Sequence, residues 1–507
     1  MDRLLVCLCF LALTGCAGLQ PRPPLPAEAA RPIASDTELD RRIGALESRH
    51  PGASGFRLVS EGSEAFVLRA GTAMLAERSL DVQTYIWHAD LTGIALADKI
   101  LAAADRGVRV RLLVDDMSAR GNHYSFAALD AHPHIEVRLF NPFQSRAGRL
   151  RFMLEALGDF KRINRRMHNK SWIADNRIAL VGGRNLGDEY FNASEQVNFV
   201  DLDFVMIGPI VREVSASFDR YWNSEAAYPV RLLAPRDVTP RALDALRAGM
   251  MPRAEEARRS RYAESLAADE NVRKLVEGEV SIDWASTYRF VADDPLKASR
   301  RAKTASQVLE ALGPMMRGAR QCVNVISPYF VPGKQGADAL LELAAADVEV
   351  NVLTNSLAAN DVAAVYGGYS RWRRPLLEGG VNLWELKPVR GVMARSSLFG
   401  SSGASLHTKA LMVDGERVFV GSYNLDPRST SLNTEQGVFV EDAHIAAELD
   451  GLFRLETAPA RAWRVTLDAE KLRWSDGDAV HEGTPDASFA RKLQAWLARM
   501  LRIDAQL

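Results

Sequence analysis

The chain has 507 residues, with 63 Lys plus Arg against 64 Asp plus Glu for a formal net charge of -1, and 47% of its residues are hydrophobic. That length allows two domains, each with its own core. The even charge balance argues against non-specific nucleic-acid binding, which draws on a clearly basic face, and with only 4 cysteines no disulfide framework is in prospect.

Residues 1–16, MDRLLVCLCFLALTGC, hold a single Arg and an apolar run from 4 to 13 that is too short to cross a bilayer as a mature helix. The layout is that of a secretory signal. Leu13-Thr14-Gly15-Cys16 matches the bacterial lipobox, which predicts a lipoprotein signal over 1–15 and a lipid on the Cys16 thiol. Ala17, rather than Asp, follows; in that pattern this points to the outer membrane, facing the periplasm of a bacterial cell envelope. Cys7 and Cys9 would leave with the signal, so only Cys322 remains, and in QCVNVIS it reads as a small buried hydrophobe. Residues 16–35, rich in Pro and Ala, predict an extended tether.

Folding is expected to begin at 36, where Ser35-Asp36-Thr37-Glu38 offers helix-start residues. Over 36–230, FRLVS, a helical stretch at 65–78, LDVQTYIW, ALADKILAAADRG and VRVRLLVD alternate strand and helix. Over 281–455 the succession repeats as IDWASTYRF, a helix at 305–316, VNVISPYF, ADALLELAAA and VEVNVLTN. Strands separated by helices predict an α/β protein of βαβ units, each half a mixed, mostly parallel sheet between helical layers. The charged stretch 231–280 reads as a helical linker or cover, and 456–507 as an extension ending in the amphipathic, basic FARKLQAWLARMLRI, read as packing on the body or on a membrane. Residues 146–170 carry eight Lys or Arg, with Leu150, Met153, Leu154 and Leu157 at helical spacing, as a lid on anionic headgroups or an ordinary surface helix would. Arg371, Arg373 and Arg374 around Trp372 are candidates for the same mouth.

The stretch that organises the whole chain is HNKSWIADNRIALVGGRN at 168–185, echoed 239 residues later as HTKALMVDGERVFVGSYN. His168, Lys170, Asp175, Gly182 and Asn185 in one copy match His407, Lys409, Asp414, Gly421 and Asn424 in the other at identical spacing. A three-residue pattern of this kind arises by chance at about one position in ten thousand, so a matched pair marks a duplication. Each copy reads as two short strands joined at a turn carrying Asp175 or Asp414. Residues two apart on a strand share a face, so each hairpin presents an imidazole and an ammonium together, with a carboxamide after the turn. Two such sets brought together suit a phosphodiester. One imidazole attacks phosphorus and the other protonates the leaving alkoxide. Lysines and the amides of Asn185 and Asn424 hold the phosphate oxygens, with no metal and no cofactor required. Asp175 and Asp414 fit turn stabilisation as well as a catalytic part.

Paired motifs of this form resemble the phospholipase D superfamily, and within it the bacterial cardiolipin synthases of the C type. The likeness runs from about residue 56 to 452 and includes QTYIW at 83–87, RMHNKSWIAD at 166–175, VGGRNLGDEYF at 181–191, DLDFVMIGP at 201–209, SPYFVPG at 327–333 and SLHTKALMVD at 405–414. It implies two duplicated phospholipase D-like domains in one chain, a monomer by that reading, with the active site at their interface. It also implies a covalent phosphohistidine, with His168 as nucleophile and His407 as acid and later base. A downstream acid would orient each His: by position Asp201 (or Asp203) in the first half and Glu435 in the second. The C-type relatives imply phosphatidylethanolamine as donor and phosphatidylglycerol as acceptor. Those relatives are associated with the inner membrane, whereas Ala17 points to the outer. A hydrolase using water as acceptor (a phospholipase D or nuclease) shares the chemistry up to the covalent step. From another class, an envelope protein that only binds phosphate-bearing lipid also fits the pocket, although a disused site need not keep every reactive group.

Overall fold

The computed structural model describes residues 21–144, 153, 155, 158–298, 305–388 and 406–501. The expected signal sequence, Cys16 and much of the basic stretch before 158 lie outside the described residues. The expected tether lies partly within them, and from Arg22 onward it is docked rather than free. Arg22 donates to the carbonyls of Asn223 and Ser224 at 3.0 and 2.9 Å, and the amides of Glu28 and Ala30 donate to the side chains of Asn223 and Asp219. The segment forms no helix or strand, as its composition predicts, but its backbone polar groups find partners on the body.

The nine strands of the first sheet are β1 (Ser54–Val59), β2 (Ser79–Thr84), β3 (Arg109–Asp115), β4 (Ile135–Phe140), β5 (Ser171–Ala174), β6 (Ile178–Gly182), β7 (Asp203–Ile207), β8 (Ala227–Pro229) and β9 (Asp283–Ala285). Their order is β8-β4-β3-β2-β5-β6-β7-β1-β9, with β2, β3 and β4 parallel through helical crossovers and the others antiparallel. The second sheet is formed by β10 (Tyr288–Ala292), β11 (Cys322–Ile326), β12 (Glu349–Asn355), β13 (Asn382–Leu386), β14 (Ala410–Val413), β15 (Arg417–Gly421), β16 (Gln436–Glu441), β17 (Ala462–Asp468), β18 (Lys471–Ser475) and β19 (Val480–His481). Its parallel run is β11, β12 and β13. The duplicated α/β architecture with mixed sheets is therefore present.

Two details go beyond the sequence reading. IDWASTYRF is split: β9 completes the first sheet against β1, and β10 opens the second against β16. The expected C-terminal extension, 456–507, joins the body in its described part, where β17 adds to β13 and extends the second sheet. Trp463 and Trp474 are buried in that sheet's core, which is why the segment packs rather than dangles.

The two sheets meet over one apolar cluster that runs from Phe204 and Met206 of β7 to Val418 and Val420 of β15. Burying aliphatic and aromatic side chains of this size contributes about 1.5–3 kcal/mol each, so the seam is a core and not a loose domain contact. Within the charged stretch 231–280, the helix Pro240–Arg258 places Leu243 and Met250 in the first domain's core.

Candidate active site

The two repeated hairpins lie at the seam. β5–β6 and β14–β15 are each closed by a pair of left-handed residues, Asp175–Asn176 (φ 51° and 56°) and Asp414–Gly415 (φ 56° and 67°). Short polar residues and Gly carry this conformation at low cost, which is why they stand there.

Just before each hairpin, the segment carrying the His is bridged to the opposite domain. Met167 pairs with Thr434, and Val200 pairs with Leu406. The amide of His168 donates to Thr434 O at 2.9 Å, and that of His407 to Val200 O at 2.8 Å. These bridges set which carboxylate meets which imidazole. His168 Nδ1 lies 2.9 Å from Glu435 Oε2, and His407 Nδ1 lies 2.6 Å from Asp201 Oδ2. The sequence assignment, Asp201 (or Asp203) with the first His and Glu435 with the second, is corrected: the acids are exchanged between halves. Asp203 instead pairs with Arg69 at 2.9 Å. Position along the chain cannot reveal this exchange, since it is made by strands that cross the seam.

Burial by itself would raise Glu435 and Asp201, but the charge and hydrogen bond of the facing imidazole outweigh it and hold both carboxyls below the usual range. An ionised carboxylate only accepts, so Nδ1 of each ring must donate, and Nε2 is left with a free lone pair. Burial, with both lysine charges near, pushes both imidazoles below their ordinary value, His407 to about 3. Each ring is therefore neutral, with a nucleophilic Nε2, before an anion binds.

Lys170 and Lys409 are buried, and each ammonium donates to the carbonyl of the His two residues before it. Burial lowers Lys170 to about 7, helped by Lys409 and opposed by Glu435, and lowers Lys409 to about 8, opposed by Asp201 and Glu435. An anion entering the pocket restores both charges. A lysine is cationic below its pKa, so anion binding weakens as pH rises through about 7 to 8. We expect kcat/KM on phospholipid vesicles to fall above pH 8; a profile still flat at pH 9.5, nearer an ordinary lysine at about 10.4, would refute these depressed values.

The other expected residues divide. Asn185 donates to Tyr190 Oη at 2.9 Å and accepts from the Ile86 amide at 3.1 Å, whereas Asn424 keeps a buried Oδ1 with no partner among the described residues. Asp175 and Asp414, also expected among the catalytic groups, do not serve the pocket. Asp175 accepts from the amides of Glu77, Arg78 and Ser79 at 2.8–3.0 Å and so pins the start of β2. Asp414 does the same for β11 through Arg320, Gln321 and Cys322. Each lies at the far end of a four-residue strand from its lysine. We expect Asp175→Ala to cost about 3 kcal/mol by orphaning those amides, read as a lower urea midpoint, while turnover per folded molecule is retained; full stability with lost turnover would return Asp175 to the chemistry.

Aromatic rings wall the pocket, and the sequence reading gave them no role. Tyr85 meets His168 edge-on at 5.2 Å, and His407 lies between Tyr190 (edge-on) and Phe199 (stacked), each at 5.3 Å. Tyr85 and Tyr190 both stand inside quoted motifs, QTYIW and VGGRNLGDEYF, which was the available signal. Arg373, by contrast, is no part of the mouth: it is buried against Glu385 at 3.2 Å and Tyr366 Oη at 2.6 Å. Cys322 is a half-buried free thiol on β11, raised by burial.

Comparison with known proteins places this geometry. The family model "Cardiolipin synthase, PLD-like domain" matches residues 72–222 and 312–455, one match per repeat. Cardiolipin synthase C of Escherichia coli (strain K12) is 41% identical over 477 residues, covering 90% of this chain and 97% of that protein. A cardiolipin synthase of Staphylococcus aureus (strain Mu50 / ATCC 700699) is 24% identical over 425 residues, covering 82% of this chain and 70% of that protein. Among solved structures, phosphatidylserine synthase of Haemophilus influenzae Rd KW20 shares the fold, with a TM-score of 0.56 at 13% identity, covering 92% of this chain and 98% of that one. With both repeats matched and a relative this similar along nearly its whole length, the chain belongs to the cardiolipin synthase family of phospholipase D-like enzymes.

Proposed function

We propose that this enzyme is a phosphatidyltransferase that makes cardiolipin from two phospholipids through a covalent phosphohistidine. The observation that carries the reading is the crossed pair of imidazoles: each is held through Nδ1 by an ionised carboxylate of the other domain, so that each keeps a free Nε2 beside a buried lysine. Nε2 of His168 attacks the donor phosphorus; His407, whose Nε2 takes up a proton from solvent as the anionic phosphodiester enters beside it, gives that proton to the departing headgroup oxygen. Lys170 and Lys409 bind the non-bridging oxygens and offset the charge that builds on them. His407, now neutral, takes the proton of the acceptor's glycerol hydroxyl, whose oxygen attacks phosphorus and expels His168. With phosphatidylethanolamine as donor and phosphatidylglycerol as acceptor, the products are ethanolamine and cardiolipin.

Cys16 is proposed as the lipid anchor that holds the enzyme at the outer membrane, facing the periplasm, where phospholipid is concentrated. Among the described residues no helix is long and apolar enough to cross a membrane. The test is to give purified protein lacking 1–15 mixed vesicles of the two phospholipids in the presence of EDTA and to resolve the products. Cardiolipin with free ethanolamine supports the transferase and a reaction independent of added metal. Phosphatidic acid alone would make the acceptor water, and absence of lipid turnover would overturn the reading.

A further inference from the structure

The C-terminal helix Phe489–Leu501 is built inside out. Its inner face carries Arg491, Ala495 and Ala498, all buried, while large apolar side chains face outward. Phe489 is 80% exposed, Trp496 55%, Met500 63% and Leu501 69%, with Leu493 and Leu497 also exposed. These six fall at helical spacing and form one stripe. A helix that merely packs on its own protein buries such a stripe and turns small and charged residues to water.

Its attachment explains how the helix stays put without those side chains. It crosses the helix Ala363–Tyr369 at Gly367, where an added Cβ would lie 2.4 Å from Ala495 O, so the two backbones approach directly. Arg491 reaches inward to the carbonyls of Leu357, at 2.9 Å, and Asn360. Arg371 donates to the carbonyls of Ala498 and Arg499 at the helix's C-terminal end, where a cation also suits the dipole. Among the described residues, the stripe is thus left exposed by a mount made of small residues and two arginines.

We propose that this face lies in the surface of an anionic phospholipid bilayer, with the helix parallel to the membrane plane. Exposed Lys492 and Arg499 flank one edge of the stripe, and the helix contains no acidic residue. That combination of an apolar face, a basic border and a tryptophan suits the headgroup boundary of anionic lipid. A second copy of the chain fits less well, since a two-fold contact through this stripe would bring the basic borders of two copies close together. The helix is linked to the second-domain side of the pocket through the loop that Arg491 grips. The loop gripped by Arg491 continues into Asp361, whose carboxylate accepts from Tyr329 Oη at 2.6 Å and whose charge acts on Lys409. Seating the helix in lipid would thus hold the domain that carries Lys409 at a phospholipid layer; that the layer is substrate rests on the function proposed above.

The test uses full-length mature protein and vesicles of phosphatidylglycerol and phosphatidylethanolamine whose acyl chains carry bromine, a contact quencher of tryptophan. Wild type should be quenched, and Trp496→Phe should lose that quenched component. Leu493→Glu/Leu497→Glu, on the surface and leaving the fold intact by circular dichroism, should weaken vesicle binding about tenfold or more, and Lys492→Gln/Arg499→Gln should remove the preference for anionic over phosphatidylcholine vesicles. Equal quenching in wild type and Trp496→Phe would overturn the proposal. So would a solution dimer that the double Glu variant turns into monomer while vesicle binding is unchanged. His168→Ala should be quenched like wild type, because the readout needs no turnover. Quenching without cardiolipin formation would sink the proposed function alone, and cardiolipin formation without quenching at Trp496 would sink the membrane helix alone.

Discussion

His168→Ala is expected to lower phosphatidyl transfer by about 10⁴-fold or more and to abolish the covalent adduct, while phospholipid binding persists. In the proposed mechanism no other group forms the bond to phosphorus, and removing a nucleophile from a unit of this kind costs on that scale. Binding survives because Lys170 and Lys409 remain to hold the phosphate. The cavity left by the missing ring is bounded by Tyr85 and Glu435, and the variant's melting curve separates a chemical defect from an unfolded one. His407→Ala should behave differently: adduct forms slowly, for want of an acid, and then persists, for want of a base. A normal yield of adduct in His168→Ala would reverse the two assignments.

Glu435→Gln is the second large effect, with kcat expected to fall about 10³- to 10⁴-fold, as for a carboxylate-to-amide change behind a catalytic imidazole. The carboxylate accepts from His168 Nδ1 and fixes the lone pair on Nε2. An amide can present its NH₂ instead and favour the opposite tautomer. Glu435 also accepts from Ser422 Oγ and from Ser429 Oγ at 2.9 Å, so its position is over-determined and the amide stays in place to do that harm. The crossed pairing makes the result diagnostic. Glu435→Gln, although in the second repeat, should slow adduct formation as a His168 defect does, and Asp201→Asn, in the first, should slow adduct resolution as a His407 defect does. The reverse pattern, each acid failing with the His of its own repeat, would contradict the pairing. Measuring the two half-reactions separately by rapid quench decides it.

The duplication, the α/β layering and the residues at the heart of the pocket were legible because each rests on local spacing. His168 with Lys170 and His407 with Lys409 share faces by strand period alone, and the turns announce themselves through Asp175-Asn176 and Asp414-Gly415. What was not legible depends on pairings across the seam. The exchange of Asp201 and Glu435 is dictated by the bridges Val200–Leu406 and Met167–Thr434, between residues more than two hundred positions apart. The same limit hid the docking of the Pro-rich segment on Asn223 and Asp219, the entry of β17 into the second sheet and the burial of Arg373 on Glu385. Asp175 stayed between a turn and a catalytic reading for another reason: a carboxylate that accepts three backbone amides recurs in a motif as faithfully as a reacting one, and spacing does not distinguish them.

The most direct measurement is to mix His407→Ala with vesicles of phosphatidylethanolamine and phosphatidylglycerol, quench at intervals, and map any added mass by peptide. The account predicts that one phosphatidyl group accumulates on the peptide containing His168, acid-labile as a phosphohistidine should be, with ethanolamine released in equal amount. An adduct on another residue, or cardiolipin formed at the wild-type rate with no adduct at any time, would contradict it.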